Sequence, residues 1–119
     1  MTADNLTPLT PAAFQVLLAL ARGPVHGYAI MGFVEDVTGG AVRLGPGTLY
    51  RTIGRLVADG LVEEADRADP DAPHDARRRY YRLTGPGRRA AAADAARLAR
   101  LVDAAGAAGL LPGRRAAAS

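Results

Sequence analysis

Glycine and proline turn signals divide this chain into a fixed series of short segments, and they constrain its fold more than any other feature. They lie at Gly23-Pro24, Gly39-Gly40, Gly45-Pro46-Gly47, Gly60 and Gly85-Pro86-Gly87. Such residues favour turns and helix ends. The hydrophobic periods between them predict the order helix, helix, helix, strand, strand, helix. Because domains commonly contain ~100–150 residues, 119 residues suffice for one core and an accessory element.

Two apolar helices come first. Thr10 and Pro11 have the chemistry of an N-cap and a first helical residue, and the apolar residues that follow are spread too widely for a single seam. We therefore expect the first helix, which ends at Gly23-Pro24, to be buried on more than one side. Val25 to Gly27 is predicted to be a tight connection into a second helix over 28–37.

The third helix is predicted to begin at Pro46 and to carry the functional surface. A helical period places an apolar stripe toward the core and a polar stripe on the opposite face. The predicted inward residues are Leu49, Ile53, Leu56 and Val57. The predicted outward residues are Thr48, Arg51, Thr52 and Arg55.

After Gly60 the helical period stops, and residues 61–65 form a short run that permits a strand. Residues 66–76 are polar and rich in aspartate and proline, and Arg77–Leu83 alternates with aromatic character. The sequence therefore predicts a β-hairpin. Alternation places Arg78, Tyr80 and Arg82 on one face and the residues between them on the other. Its second strand contains a basic cluster: Arg77, Arg78, Arg79 and Arg82.

An alanine-rich helix from about Pro86 to Ala105 closes the sequence, and residues after Gly106 lose the period and are expected to fray. Alanine favours helix but offers little side chain to bury, so this helix is expected to pack on a partner. The predicted organisation is a domain of three helices and a hairpin over 1–84, a dimerisation helix over 85–108 and a frayed tail over 109–119. The apolar residues predicted to pack in the core or at a dimer interface are Phe14, Leu98, Leu101 and Val102.

Composition narrows the function classes. The sequence has no cysteine, no apolar run near the ~20 residues of a membrane span and no signal peptide, so we expect a cytoplasmic protein. It shows no nucleophile and base pattern, no phosphate-binding loop and no metal-ligand spacing around its two histidines. We therefore expect neither an enzyme nor a cofactor or metal. The net charge of +3 and pI near 9.9 favour a polyanionic partner, and the basic excess lies after residue 42.

The predicted layout is that of a winged helix-turn-helix, mainly α with a small β-hairpin. A helix fits the major groove, where arginine can pair with guanine, and a basic hairpin gains affinity at phosphates by counterion release. Other interpretations stay open: Arg51 and Arg55 on a solvated face, the arginine cluster neutralising the aspartates of its own loop, and tyrosines that only pack. The whole chain could instead be a protein-interaction module without DNA binding, or a small-molecule sensor.

Four segments in this order resemble the PadR family of bacterial transcriptional regulators: LLALARGPVHGYAI at 17–30, RLGPGTLY at 43–50, RLVADGLVEE at 55–64 and RRYYRLT at 78–84. The single short terminal helix is similar to the smaller PadR subfamily. The resemblance implies a homodimer that represses transcription from a palindromic operator. It also implies that the helix from Pro46 is the recognition helix, that Tyr28 and residues 45–48 lie near the DNA backbone, and that Arg77–Arg82 is the wing.

The resemblance and the outward face together give the predicted DNA-binding residues: Tyr28, Thr48, Tyr50, Arg51, Thr52, Arg55, Arg77, Arg78, Arg79 and Arg82. Family members respond to phenolic acids, to several drugs or to no known ligand, so a small apolar or phenolic effector is implied. This sequence has no tryptophan. Core or dimer packing is therefore favoured over an effector cavity for Phe14 and the apolar residues of the last helix.

Overall fold

The computed structural model describes residues 7–65 and 79–112. The fold is mainly helical with one small antiparallel sheet, which confirms the predicted class. In chain order the elements are α1 (Pro11–Ala19), β1 (Val25–His26), α2 (Gly27–Val37), α3 (Pro46–Ala58), β2 (Val62–Ala65), β3 (Tyr80–Leu83) and α4 (Gly85–Ala107).

The helix starts follow from local capping chemistry. Thr10 caps α1 by accepting a 3.1 Å hydrogen bond from the Ala13 amide, and Thr84 caps α4 by accepting one from the Gly87 amide. At α2 the cap is His26, whose Nδ1 accepts from the Ala29 amide at 3.2 Å. The sequence does not predict this cap, because histidine is not among the preferred N-cap residues. The first helix was predicted to end at Gly23-Pro24, and this was wrong because α1 ends earlier, at Ala19.

The sheet has the strand order β1-β3-β2, with both pairs antiparallel. Strands β2 and β3 are the predicted hairpin pair, in a register that places Glu63 opposite Arg82. Strand β1 was predicted only as a turn. Its two residues are too few for an alternating pattern, and only its pairing with Tyr80 and Tyr81 makes it a strand.

The core lies between the first three helices and the sheet. It consists of Ala13, Val16, Leu17, Leu20, Ile30, Val34, Leu49, Ile53, Leu56, Val62 and Tyr81. The predicted inward stripe of α3 is right for three residues and wrong for Val57, which is 42% exposed. Val57 stands about 80° around the helix from Leu49, at the edge of the buried face rather than in it.

Helix α4 is joined to the rest of the fold at its first turns. Thr84 donates to the Gly60 carbonyl at 2.6 Å, and Arg88 donates to the Ala21 carbonyl, two residues after α1. Gly87 faces the backbone of Leu61 so closely that a Cβ would lie 2.9 Å from the Leu61 carbonyl carbon. Further along, Asp94 is buried, accepts from the Leu9 amide and pairs with Arg97.

Candidate nucleic-acid interface

The outward face of α3 is a polar surface built by the helical period. Thr48, Arg51 and Arg55 are exposed, and Thr52 is half-buried at the edge of the same face. This is the arrangement that the sequence predicted. Within residues 7–65 and 79–112, neither Arg51 nor Arg55 forms an ion pair or hydrogen bond, so both guanidinium groups present their donors to solvent. Such a pair can bind the acceptors of a guanine edge or a phosphate.

The two tyrosines predicted at this surface have different surroundings. Tyr28, in the first turn of α2, is 53% exposed and touches the edge of the His26 ring at a centroid distance of 6.3 Å. Tyr50 is 36% exposed, and its ring lies over Gly27. A Cβ at Gly27 would lie 2.9 Å from Cζ of Tyr50. Tyr28 is therefore open to a partner, whereas Tyr50 also holds α3 against the start of α2.

The predicted wing arginines on β3 have acidic neighbours on β2. Arg82 pairs through Nε with Glu63 Oε2 at 2.7 Å, and Arg79 pairs with Glu64 at 3.7 Å. All four side chains are about half exposed or more. The wing therefore offers partly neutralised guanidinium groups, and the neutralising carboxylates come from the neighbouring strand. Arg77 and Arg78, also predicted here, lie outside the described residues, as do the loop aspartates.

Alternation along β3 places Tyr81 in the core and Arg82 in solvent. Burial raises the pKa of the Tyr81 hydroxyl above its ordinary value of 10.0, and the nearby Glu64 carboxylate raises it further. Tyr80 lies edge-on to His26 at a centroid distance of 5.5 Å. These contacts make Tyr80 and Tyr81 packing residues that join β3 to β1 and the core.

A groove runs beside α3, and no sequence pattern predicts it. Its volume is about 580 Å³. One wall is the segment before and within the first turn of α1, and the other is the polar edge of α3. We call it the α3 groove, lined by Thr7, Pro8, Leu9, Thr10, Ala13, Arg51, Thr52, Arg55, Leu56, Asp59 and Leu61. It exists because tertiary contacts bring the N-terminal segment beside the third helix, and no local pattern encodes that approach.

The apolar residues predicted for a dimer interface lie on the surface of α1 and α4. Leu101 is 60% exposed and Val102 is 37% exposed, while Phe14 and Leu98 are half-buried. None of these four lines the α3 groove. They leave apolar surface uncovered that a second protein surface could cover.

A comparison with protein families decides the class. Residues 16–93 match the family described as the transcriptional regulator PadR-like family. The chain belongs to the PadR-like family. The match extends from α1 across the sheet into the middle of α4, which confirms the resemblance seen in the sequence and identifies the fold as the winged-helix fold of a transcriptional regulator.

A curated protein is similar in sequence to this PadR-like chain. It is 42% identical over 90 residues to an uncharacterized 37.1 kDa protein in transposon TN4556 of Streptomyces fradiae. The match covers 76% of the present chain and 24% of that protein, so this chain spans about a quarter of the length of that curated relative.

Solved structures show the same fold. H. salinarum RosR superimposes with a TM-score of 0.63 at 28% identity, covering 78% of this chain and 76% of RosR. Bacillus subtilis PadR in complex with operator DNA has a TM-score of 0.54 at 18% identity, covering 69% of this chain and 45% of that one. At that identity the second comparison supports the fold alone.

Two further structural observations bear on other classes of function. Within the described residues, no group of three acidic, histidine or cysteine side chains is placed to hold a metal ion. Over the same residues, no helix combines the length and apolar character that crossing a bilayer requires.

Proposed function

We propose that this PadR-like protein is a homodimeric repressor that binds a palindromic operator in the cytoplasm. Helix α3 acts as the recognition helix, and Thr48, Arg51, Thr52 and Arg55 contact bases in the major groove. The observation that carries the proposal is the exposed α3 face, where Arg51 and Arg55 have no partner among the described residues. A helix fits the major groove, and bidentate arginine to guanine is the commonest specific contact there.

Contacts to the DNA backbone complete the interface in this proposal. The exposed Tyr28 hydroxyl can donate to a phosphate, and Tyr50 contributes by holding α3 in position against Gly27. Arg79 and Arg82 supply the wing, together with Arg77 and Arg78, which stay predictions. Backbone contacts position the protein on the duplex, whereas base contacts specify the sequence.

The dimer in this proposal forms through α4. Gly87, Asp94 and Leu101 are seven residues apart, so they lie on nearly the same face of the helix. The first two are buried against the chain's own body, whereas Leu101 is 60% exposed. Among the described residues, the face that packs on the body thus continues beyond it, and in this proposal a second chain covers it there. Leu98 and Val102 lie on α4 close to Leu101, and with Phe14 of α1 they complete the apolar surface that this proposal assigns to the interface. A small apolar or phenolic effector bound there stays a prediction.

The experiment that tests base contact is an operator titration with Arg55→Ala. The duplex is taken from the DNA immediately upstream of the protein's own coding region, because repressors of this type often control themselves or a neighbour. Loss of a bidentate guanine contact reduces the free energy of operator binding by about 1–3 kcal/mol, which corresponds to roughly a tenfold to hundredfold weaker affinity.

Arg100→Ala is the matched control, because Arg100 is exposed on α4, away from α3. Wild-type affinity should fall steeply as salt increases, whereas a protein-interaction module would show no such dependence. Equal affinity and base preference in wild type and Arg55→Ala would contradict the assignment of Arg55.

A further inference from the structure

The α3 groove combines an apolar floor with two guanidinium groups, and binding of duplex DNA does not require that floor. Its floor reaches the core, because Leu56 and Ala13 are at most 9% exposed, and Leu9 and Leu61 extend that apolar floor. Arg51 and Arg55 stand at its α3 wall. A recognition helix contacts base edges and phosphates from its outer face. An apolar floor beneath two guanidinium groups fits a ligand with an anionic head and an apolar body.

The charges of the groove favour an anion. Arg51 and Arg55 are four residues apart on α3, where like charges repel each other. Neither has a partner within the described residues. Asp59 is the single acidic residue among the residues that line the groove, and it lies at the C-terminal end of α3. A carboxylate between the two guanidinium groups would accept charge-assisted hydrogen bonds from both and relieve their repulsion.

The apolar lining favours an aliphatic body over an aromatic one. It consists of proline, alanine and leucine side chains, with no phenylalanine, tyrosine or histidine to stack on a ring. Binding sites of ~300–1,000 Å³ hold small organic ligands, and the volume of about 580 Å³ falls in that range. The segment that forms the outer wall is held in place, since the Leu9 amide donates to the buried Asp94 carboxylate at 3.4 Å.

We propose that the α3 groove binds a small aliphatic carboxylate, whose head lies between Arg51 and Arg55 and whose chain lies over Leu9, Leu56 and Leu61. The site is separate from the apolar face around Phe14 and Leu101. Because the same two arginines face the duplex in the proposed function, the ligand competes with DNA. That consequence rests on the proposed function, whereas binding of the carboxylate does not.

The test is a titration of the full chain, without DNA, by amide NMR at constant ionic strength. Sodium octanoate is the probe, acetate provides the head alone, and octanamide provides the chain with an uncharged head. Octanoate should cause saturable shifts of the Leu9, Thr52 and Leu56 amides. Affinity should increase about two- to fourfold for each methylene from butyrate to octanoate. Octanamide and acetate should bind at least about tenfold more weakly.

Variants locate the head group. Arg51→Gln and Arg55→Gln should each weaken octanoate binding about tenfold, because each removes a charge-assisted hydrogen bond. Arg100→Gln should leave it unchanged, and the same spectra show whether each variant is folded. Equal binding of octanamide, shifts confined to α4, or unchanged binding by both arginine variants would overturn the proposal.

A second measurement separates this site from the proposed function. Octanoate at saturating concentration should release a bound operator duplex from the wild-type protein. If octanoate binds in the groove and the duplex keeps its affinity, the competition is overturned. If no duplex binds under any condition, the proposed function fails, and the NMR titration still decides whether the carboxylate site exists.

Discussion

At the scale of single residues, Glu63 and Glu64 determine how much positive charge the wing presents. Arg82 lies 2.7 Å from Glu63 in the register of the hairpin, and Arg79 lies 3.7 Å from Glu64. Both pairs are half exposed, where an ion pair contributes about 0–1 kcal/mol. A phosphate can therefore replace either carboxylate at small cost. In the proposed DNA contact, Arg79 and Arg82 would exchange a carboxylate for a phosphate.

Glu63→Gln should strengthen operator binding about two- to fivefold, since it removes an exposed ion pair that competes with phosphate. The slope of log affinity against log salt should also become steeper, by up to about 0.9 for one additional phosphate contact. Asp36→Asn removes the same charge from α2 and serves as the control. Weaker binding by Glu63→Gln would mean that the glutamate positions Arg82 for DNA instead of competing with it.

At the scale of elements, local chemistry predicted most of the fold and tertiary contacts supplied the rest. The starts of α1 and α3 are predictable from Thr10-Pro11 and Gly45-Pro46, because the start of a helix depends on adjacent residues alone. Strand β1 and the α3 groove depend on partners distant in sequence. The outward face of α3 was predictable from the helical period of one segment. The carboxylates that face Arg79 and Arg82 were not predictable, because the register between β2 and β3 determines which residues lie opposite each other.

The junction between α4 and the wing depends on one small residue. Gly87 in α4 meets the backbone of Leu61, and backbone cannot move aside as a flexible side chain can. Gly87→Ala should therefore lower the free energy of unfolding by about 2 kcal/mol or more, as overpacking of a close contact does. Urea denaturation measures the change.

Gly54→Ala in α3 is the matched control for that substitution. A Cβ at Gly54 meets nothing within 4 Å. Alanine is about 1 kcal/mol more favourable than glycine inside a helix, so this variant should be more stable than wild type. Equal effects of the two substitutions would contradict the close junction between α4 and Leu61.

At the scale of the whole molecule, the described residues leave part of one face of α4 uncovered. The same helical face is buried at Gly87 and Asp94 and exposed at Leu101. Contacts within the chain thus account for the first half of α4, and the proposed dimer would cover Leu101 in its second half. The alanine content of α4 would let two such helices approach closely, and packing of α4 on a partner stays a prediction.

Leu101→Glu should convert the dimer to a monomer in light scattering at micromolar concentration, because a carboxylate would be buried unpaired in the interface. Ala99→Glu adds the same charge on the opposite side of α4, where the residue is exposed, and should leave the mass unchanged. A monomeric wild-type chain, or dimers of both variants, would contradict an interface through this face.

The most direct test of the central claim, that paired α3 helices read DNA through Arg51 and Arg55, is methylation interference at guanine N7 on the bound upstream duplex. N7 faces the major groove and is an acceptor for arginine. The account predicts two clusters of interfering guanines about 10 base pairs apart, one for each subunit, and loss of one guanine from each cluster with Arg55→Gln. Binding that is indifferent to N7 methylation, or an identical pattern for Arg55→Gln, would contradict it.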